Sequence, residues 1–195
     1  MSKALEQMHE IEPHVQVGRA RVGVLMFVLS DAVSVVAIMA AGGYLSTLNV
    51  TGQFNAGVHA PAFLPGLLVA IVLVLSGLAY YGWERGVRKH GSAGQPIWFV
   101  LSGVLMLVAL GGQVWIGMNL GYVAPFHAYA SIILLLTWYS AVHLLLTVLV
   151  GILLSGRIIR GRLIGHGYIA EVVGYWWYYT VISYLLMWIF VVLFT

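Results

Sequence analysis

The chain has 195 residues, of which 62% are apolar and 8% are charged, and its formal net charge is +3. A water-soluble domain carries about 25% charged residues, so this composition excludes an ordinary soluble protein and predicts a single membrane domain. Cysteine is absent, which excludes disulfides, thiolate metal sites and iron–sulfur clusters. The nine Lys and Arg residues are scattered and form no continuous basic face for nucleic acid, so membrane lipid is the expected anionic partner.

Five apolar runs follow a polar N-terminal segment, and a bilayer is crossed by about 20 apolar residues in helical form. The segment 1–19 has no apolar run placed to make a cleavable signal peptide, so it is predicted to be a cytoplasmic tail. The prolines all fall before or in the first turn of a predicted helix, where they interrupt nothing. The predicted fold class is therefore all-α. The five-helix transmembrane domain spans 20–195, with helices at about 20–46, 64–83, 97–118, 128–155 and 172–195.

The positive charges predict the sidedness of the chain, because Lys and Arg are retained on the cytoplasmic side. All nine precede the first helix, or lie between the second and third helices or between the fourth and fifth. The other two connections, about 47–63 and 119–127, contain none. The N-terminus is thus expected in the cytoplasm and the C-terminus outside. Five arginines at these helix ends are candidates for binding lipid headgroups: Arg85, Arg88, Arg157, Arg160 and Arg162.

Asp31 is the one acidic residue placed deep in a predicted span. It lies about eleven residues into the first helix, or roughly 16 Å along the axis, which is close to the bilayer midplane. An acid there costs about 2.5–3.5 kcal/mol on insertion scales, so it should face the bundle interior, be protonated or have a partner. Two roles remain open: a neutral structural acid hydrogen-bonded to Ser34 or to a backbone carbonyl, and a functional, proton-linked group.

His143 is the one histidine deep in a span, near the middle of the fourth helix. At 100° per residue, an arc of about 120° on this helix holds four polar side chains, namely Thr137, Ser140, His143 and Thr147. This stripe should face neighbouring helices, with His143 at a depth similar to that of Asp31, either as interhelical glue or as a proton-linked group. One deep imidazole is too few for a haem held by two histidines, and a copper or zinc site needs three or four converging ligands. No cofactor is therefore expected in this chain.

Short motifs appear along the helices in a particular order. The first helix reads Phe27-Val28-Leu29-Ser30-Asp31, the second carries Ser76-Gly77, and the third has Gln113 near its outer end. The fourth helix runs from Thr137 through Ser140 to His143. The last stretch contains His166-Gly167-Tyr168, Glu171 and Tyr175-Trp176-Trp177. This order resembles subunit III of the haem–copper oxidases, the cytochrome c and quinol oxidase family, with Asp31 in place of the usual glutamate and Ser140 in place of a first histidine.

The resemblance implies a divergent five-helix form that lacks the first two of the family's seven helices. It also implies a respiratory subunit without haem or metal of its own, which packs beside the catalytic subunit I and other oxidase subunits. Haem and copper belong to that partner, while subunit III binds phospholipid and supports proton uptake and turnover stability. His166, Glu171 and Trp177 are the family-motif residues of the last stretch. Ile116, Tyr178 and Val181 stand where the family has a glutamate, a histidine and an aspartate.

Two other functions remain open from the sequence. A small proton-coupled transporter would use Asp31 and His143 as its relay, since ionisable groups at the midplane commonly mark such paths. An accessory subunit of nitric oxide reductase would resemble the same family. In each case the expected location is the plasma membrane of a bacterium or archaeon.

Overall fold

The computed structural model describes residues 13–49, 54, 61–90, 95–121, 128–163 and 166–193. Across these residues the chain forms helices and no strands. The helices are α1 (Pro13–Thr47), α2 (Phe63–His90), α3 (Pro96–Met118), α4 (Ala128–Ile159) and α5 (Tyr168–Leu193). All five are long and apolar enough to cross a membrane, as the composition predicted. Residues 1–12 of the predicted tail and 194–195 of the last predicted helix lie outside the described part of the chain.

Several helices continue past the predicted spans into charged sequence. α1 begins at Pro13, so the end of the predicted tail is helical. α2 continues to His90 and α4 to Ile159, which places Arg85, Arg88 and Arg157 on helices instead of in connections. Arg and Lys are good helix formers. The apolar pattern therefore marks the part of each helix that suits the bilayer, not the point where the helix ends.

α4 and α5 each pack against three other helices. α5 packs against α1, α2 and α4, while α3 packs against α2 and α4 and closes a ring of four helices. α1 lies outside this ring and, within the described residues, contacts only α4 and α5. The main core lies inside the ring and includes Leu73, Tyr80, Trp83, Met106 and Trp177. A smaller core, formed by Val35, Leu136, Met187 and Phe190, lies where α1 joins α4 and α5.

Two glycines let aromatic rings of α5 approach the backbones of its neighbours. A Cβ at Gly42 on α1 would lie 2.9 Å from the Phe190 ring, and one at Gly66 on α2 would lie 2.5 Å from the Trp188 indole. Real Cβ atoms do not come this close to other heavy atoms. α1 therefore packs closely against Phe190 and α2 packs closely against Trp188, two aromatic residues of α5.

Candidate intramembrane polar site

The Asp31 carboxyl group lies among three polar side chains from α4 and α5. The Tyr139 hydroxyl donates to Oδ1 at 2.7 Å, and the Tyr179 hydroxyl donates to Oδ2 at 2.5 Å. His143 Nε2 lies 2.6 Å from Oδ2. The Asp31 side chain is 18% exposed and that of His143 is 4% exposed. The two residues that the sequence placed at similar depth are therefore in direct contact.

The surroundings of His143 assign a hydrogen to one of its two ring nitrogens. Nδ1 is 2.8 Å from the carbonyl oxygen of Tyr139. A carbonyl can only accept a hydrogen bond, so Nδ1 carries a hydrogen. The Nε2–Oδ2 contact then holds one proton, either as imidazolium with carboxylate or as imidazole with carboxylic acid. The pair is uncharged overall in both forms, which is what a site in the membrane interior requires.

Aromatic rings surround the pair. The Trp176 ring stacks on the His143 ring with centroids 5.6 Å apart, and it also contacts Tyr179 at 5.7 Å and Phe27 at 5.1 Å. Tyr139, Tyr179 and Trp176 were not among the site residues predicted from the sequence. Tyr139 precedes His143 by four residues, which is about one helical turn. This spacing places both side chains on the same face of α4 and could have predicted that Tyr139 lies at the site.

Ser34 is not a partner of Asp31. It is exposed on α1, and its hydroxyl donates to the Ser30 carbonyl at 3.2 Å. The suggested hydrogen bond between Ser34 and Asp31 is therefore not formed. Asp31 instead contacts Tyr139, His143 and Tyr179. The hydroxyl of a serine in a helix can donate to a backbone carbonyl one turn earlier in the same helix. A sequence pattern alone does not show whether a serine makes this local bond or a bond to another side chain.

The polar stripe of α4 is buried, but its members face different neighbours. The Ser140 hydroxyl donates to the Leu136 carbonyl at 2.7 Å and lies 3.6 Å from the Met187 sulfur. The Thr147 hydroxyl lies 2.8 Å from that of Thr180 and joins α4 to α5. Of the four residues in the stripe, only His143 contacts Asp31.

Gln113 belongs to a separate polar region near the C-terminal end of α3. Its Nε2 donates to the Thr137 carbonyl at 3.0 Å, while its buried Oε1 has no hydrogen-bond partner among the described residues. Gln113, Thr137 and Ser140 line one open cavity, whose volume of about 620 Å³ includes space that is continuous with the outside. These three predicted residues therefore lie together, apart from the carboxyl group of Asp31.

Two further carboxylates lie near the ends of α2 and α5. Glu171 accepts a hydrogen bond from Arg21 Nη2 at 2.8 Å and from the Tyr175 hydroxyl at 2.6 Å. Glu84 is buried and accepts from the Tyr178 hydroxyl at 2.5 Å, with Arg88 Nη1 at 3.4 Å. Glu84 was not among the predicted site residues, because the predicted second helix ended just before it. These contacts place the start of α1, the end of α2 and the start of α5 together, at what we call the Arg21 end of the bundle.

Of the family-motif residues, Trp177 joins three helices. Its indole N–H donates to the Ser76 hydroxyl at 3.1 Å, and that hydroxyl donates to the Ser102 carbonyl on α3 at 2.8 Å. The Trp177 ring also stacks on Tyr80 with centroids 4.7 Å apart. Two motifs far apart in sequence, Ser76-Gly77 and Tyr175-Trp176-Trp177, thus meet in the core.

The predicted headgroup arginines are distributed along the Arg21 end. Arg157 and Arg162 line one open cavity together with His166, Tyr168 and Ile169. Arg88 is engaged by Glu84, while Arg85 and Arg160 are exposed. Within the described part of the chain no cluster of three or more His, Asp or Glu residues is arranged to hold a metal ion.

No protein-family model matches the sequence. The chain is 27% identical, over 164 residues, to a protein of Thermostichus vulcanus named "Cytochrome c oxidase subunit 3". The matched region covers 84% of this chain and 76% of that relative. The chain is therefore similar to cytochrome c oxidase subunit III over most of its length. The five helices fit this form, and the resemblance expected from the motif order is confirmed.

Proposed function

We propose that the chain is a non-catalytic, subunit III-like component of a respiratory terminal oxidase. It would lie in the plasma membrane of a bacterium or archaeon with its N-terminus in the cytoplasm, beside a catalytic subunit I that holds the haem and copper. The observation that carries the proposal is the similarity to an oxidase subunit III over 84% of the chain. The half-buried acid of the predicted motif supports it, because the Asp31 carboxyl group has three hydrogen-bond partners on α4 and α5.

In this assembly the Asp31–His143 pair has two roles. It holds the outer helix α1 against α4 and α5, and it supplies a proton-holding group near the middle of the membrane. The structural role supports turnover stability, since few other residues of α1 are buried against the rest of the chain. The proton-holding role supports proton uptake by the complex.

The decisive experiment is purification from native membranes followed by a visible spectrum. Co-purification with haem, copper and a catalytic oxidase subunit is the expected result, and a colourless chain without partners contradicts the proposal. In that preparation Asp31→Asn should leave the haem spectrum unchanged and shorten the time for which turnover is sustained. Thr47→Ala is the matched control, because Thr47 is exposed on the same helix and its hydroxyl bonds to the Tyr44 carbonyl, away from Asp31. A nitric oxide reductase catalytic subunit in the preparation would instead assign the chain to that complex.

Phospholipid binding is assigned to the cavity lined by Arg157 and Arg162. Two guanidinium groups beside Tyr168, at the end of a membrane-spanning helix, suit an anionic headgroup. Replacing both arginines by glutamine should lower the amount of anionic phospholipid that co-purifies, while Arg85→Gln should not. Equal lipid content in the two variants would contradict the assignment.

A proton-coupled transporter is the second candidate, and the Asp31–His143 contact near the midplane favours it. Proteoliposomes that contain only this chain separate the two functions. Proton flux that disappears with Asp31→Asn would support transport. If neither sample conducts protons, the transporter is excluded and the oxidase subunit is the function that is supported.

A further inference from the structure

One face of α5 carries a ladder of polar side chains. Glu171, Tyr175 and Tyr179 are spaced four residues apart, so they lie one above the other on the helix. The Tyr175 hydroxyl contacts Glu171 at 2.6 Å, and the Tyr179 hydroxyl contacts Asp31 at 2.5 Å. The lower end of the ladder is partly exposed, because the side chain of Arg21, which binds Glu171, is 44% exposed.

The ladder covers the depth between the Arg21 end and the Asp31 site. Arg21 binds Glu171 and Asp31 binds Tyr179, so both helices progress in the same direction and run parallel. The distance along the axis is about 15 Å on α1 and about 12 Å on α5, at a rise of about 1.5 Å per residue. Three side chains of α5 thus bridge roughly half of the bilayer core.

We propose that Glu171, Tyr175 and Tyr179 form a proton-transfer path between the Arg21 end of the bundle and the Asp31–His143 pair. The proposal deepens the proton-linked part of the proposed function. Its ligand is the hydrogen ion, delivered from water at the Arg21 end. Tyr175 and Tyr179 act as relay residues, because a phenol hydroxyl can donate one hydrogen bond while it accepts another.

Each step exchanges one O–H bond for another. Glu171 rests as a carboxylate beside Arg21 and accepts the Tyr175 hydrogen, so it first takes a proton from water at the Arg21 end. The Tyr175 hydroxyl then turns its hydrogen toward Tyr179, its oxygen takes the proton from Glu171, and its own hydrogen moves on toward Tyr179. The Tyr179 oxygen takes that proton and gives its own to Asp31 Oδ2. Because the Asp31–His143 contact already holds one proton, the proton that it gives up returns through Tyr179 and Tyr175 to Glu171 and from there to water at the Arg21 end. Protons exchange through the path without a change of charge at its inner end.

One step of the path requires a bridge between Tyr175 and Tyr179. Side chains on a helix lean toward its N-terminus, so the Tyr179 ring lies over the turn that carries Tyr175. A single water molecule can join two such hydroxyls if it has two to four polar partners. A third partner is near: the Trp176 indole packs on Tyr179, and its buried N–H has no hydrogen-bond partner among the described residues.

Isotope exchange at His143 tests the path directly. The full chain, with isotope-labelled histidine, is placed in phospholipid nanodiscs and transferred from water to deuterium oxide. The readout is the shift that deuterium in the Asp31–His143 hydrogen bond causes in the Nε2 NMR signal. Tyr175→Phe should slow this exchange by about tenfold or more, as should Glu171→Gln. Tyr175 does not touch Asp31, so its loss leaves the inner site intact.

Tyr184→Phe is the matched control, because Tyr184 lies on the same helix and its hydroxyl bonds to the Gly66 carbonyl at 3.4 Å. It should exchange at the wild-type rate. An unchanged His143 chemical shift verifies folding in each variant. A wild-type exchange rate in folded Tyr175→Phe or Glu171→Gln would overturn the path. The assay needs no oxidase partner, so its outcome is independent of whether the chain co-purifies with haem.

Discussion

Tyr178 and Tyr179 are neighbours in the chain, yet their hydroxyl groups donate to carboxylates on two different helices. Tyr178 donates to Glu84 on α2 and Tyr179 donates to Asp31 on α1, each at 2.5 Å. Consecutive residues on a helix point about 100° apart. Through these two side chains α5 holds two helices that do not contact each other within the described residues.

Tyr179→Phe should loosen α1 selectively. The change removes a hydrogen bond to a carboxyl group and costs about 1–3 kcal/mol in the stability of that contact. Amide hydrogen exchange followed by mass spectrometry should be faster in peptides of α1 and unchanged in peptides of α2.

Tyr178→Phe is the reciprocal control for this prediction. It removes the hydroxyl bound to Glu84, so faster exchange should appear at the end of α2 and not in α1. If both variants gave the same exchange pattern, the two hydroxyl groups would not hold separate helices.

Asp31 and His143 should be energetically coupled. Asp31→Leu or His143→Phe alone leaves the other member of the pair without this hydrogen-bond partner, at a cost of about 1–3 kcal/mol each. The double variant removes both partners, so its loss in free energy of unfolding should be smaller than the sum by about 0.5–3 kcal/mol. Denaturant titration in mixed micelles measures the cycle, and additive losses would show that the 2.6 Å contact contributes no coupling.

The sequence predicted how deep Asp31 and His143 lie along their helices better than it predicted which neighbours their side chains face. A constant helical rise was enough to place Asp31 and His143 at one level, because both depths follow from counting along apolar runs. The number of spans followed from hydropathy in the same way. Neither inference required knowledge of which helices are neighbours.

The partners of Asp31 depend on how α1, α4 and α5 are rotated about their axes, which residue counting does not give. Tyr179 belongs to an aromatic run that also suits anchoring at the membrane interface, so its contact with the acid left no separate signal. Glu84 stayed hidden for another reason: the apolar pattern stops where α2 leaves the bilayer-like sequence, although the helix continues to His90. Ser34 was within reach by spacing but satisfies its hydroxyl on its own helix.

Gly42→Ala should weaken the packing of α1 against α4 and α5. The added methyl would lie 2.9 Å from the Phe190 ring and 3.2 Å from an Ile132 methyl carbon, so α1 must shift outward. Overpacking of this kind costs about 1–3 kcal/mol. A lower thermal unfolding midpoint in detergent–lipid micelles is expected.

Gly23→Ala is the matched control on the same helix, because nothing lies within 4 Å of its added Cβ. Alanine is the better helix former by about 0.8–1 kcal/mol, so this variant should be as stable as the wild type or more stable. Gly42→Ala with Phe190→Leu should recover part of the loss. Equal midpoints for Gly23→Ala and Gly42→Ala would mean that the Phe190 contact does not set the position of α1.

Gln113→Met should be neutral or stabilising. Gln113 donates one hydrogen bond to the Thr137 carbonyl, which contributes about 1 kcal/mol. Its buried Oε1 lacks a partner among the described residues, and an unsatisfied buried polar atom costs about 1–3 kcal/mol. Methionine has a similar shape without that oxygen, so the second effect should equal or exceed the first. The unfolding midpoint measures the balance, with Gln113→Ala as the control that loses the hydrogen bond and also enlarges the cavity. A large loss of stability in Gln113→Met would show that Oε1 is satisfied, which would place ordered water in the cavity beside Thr137 and Ser140.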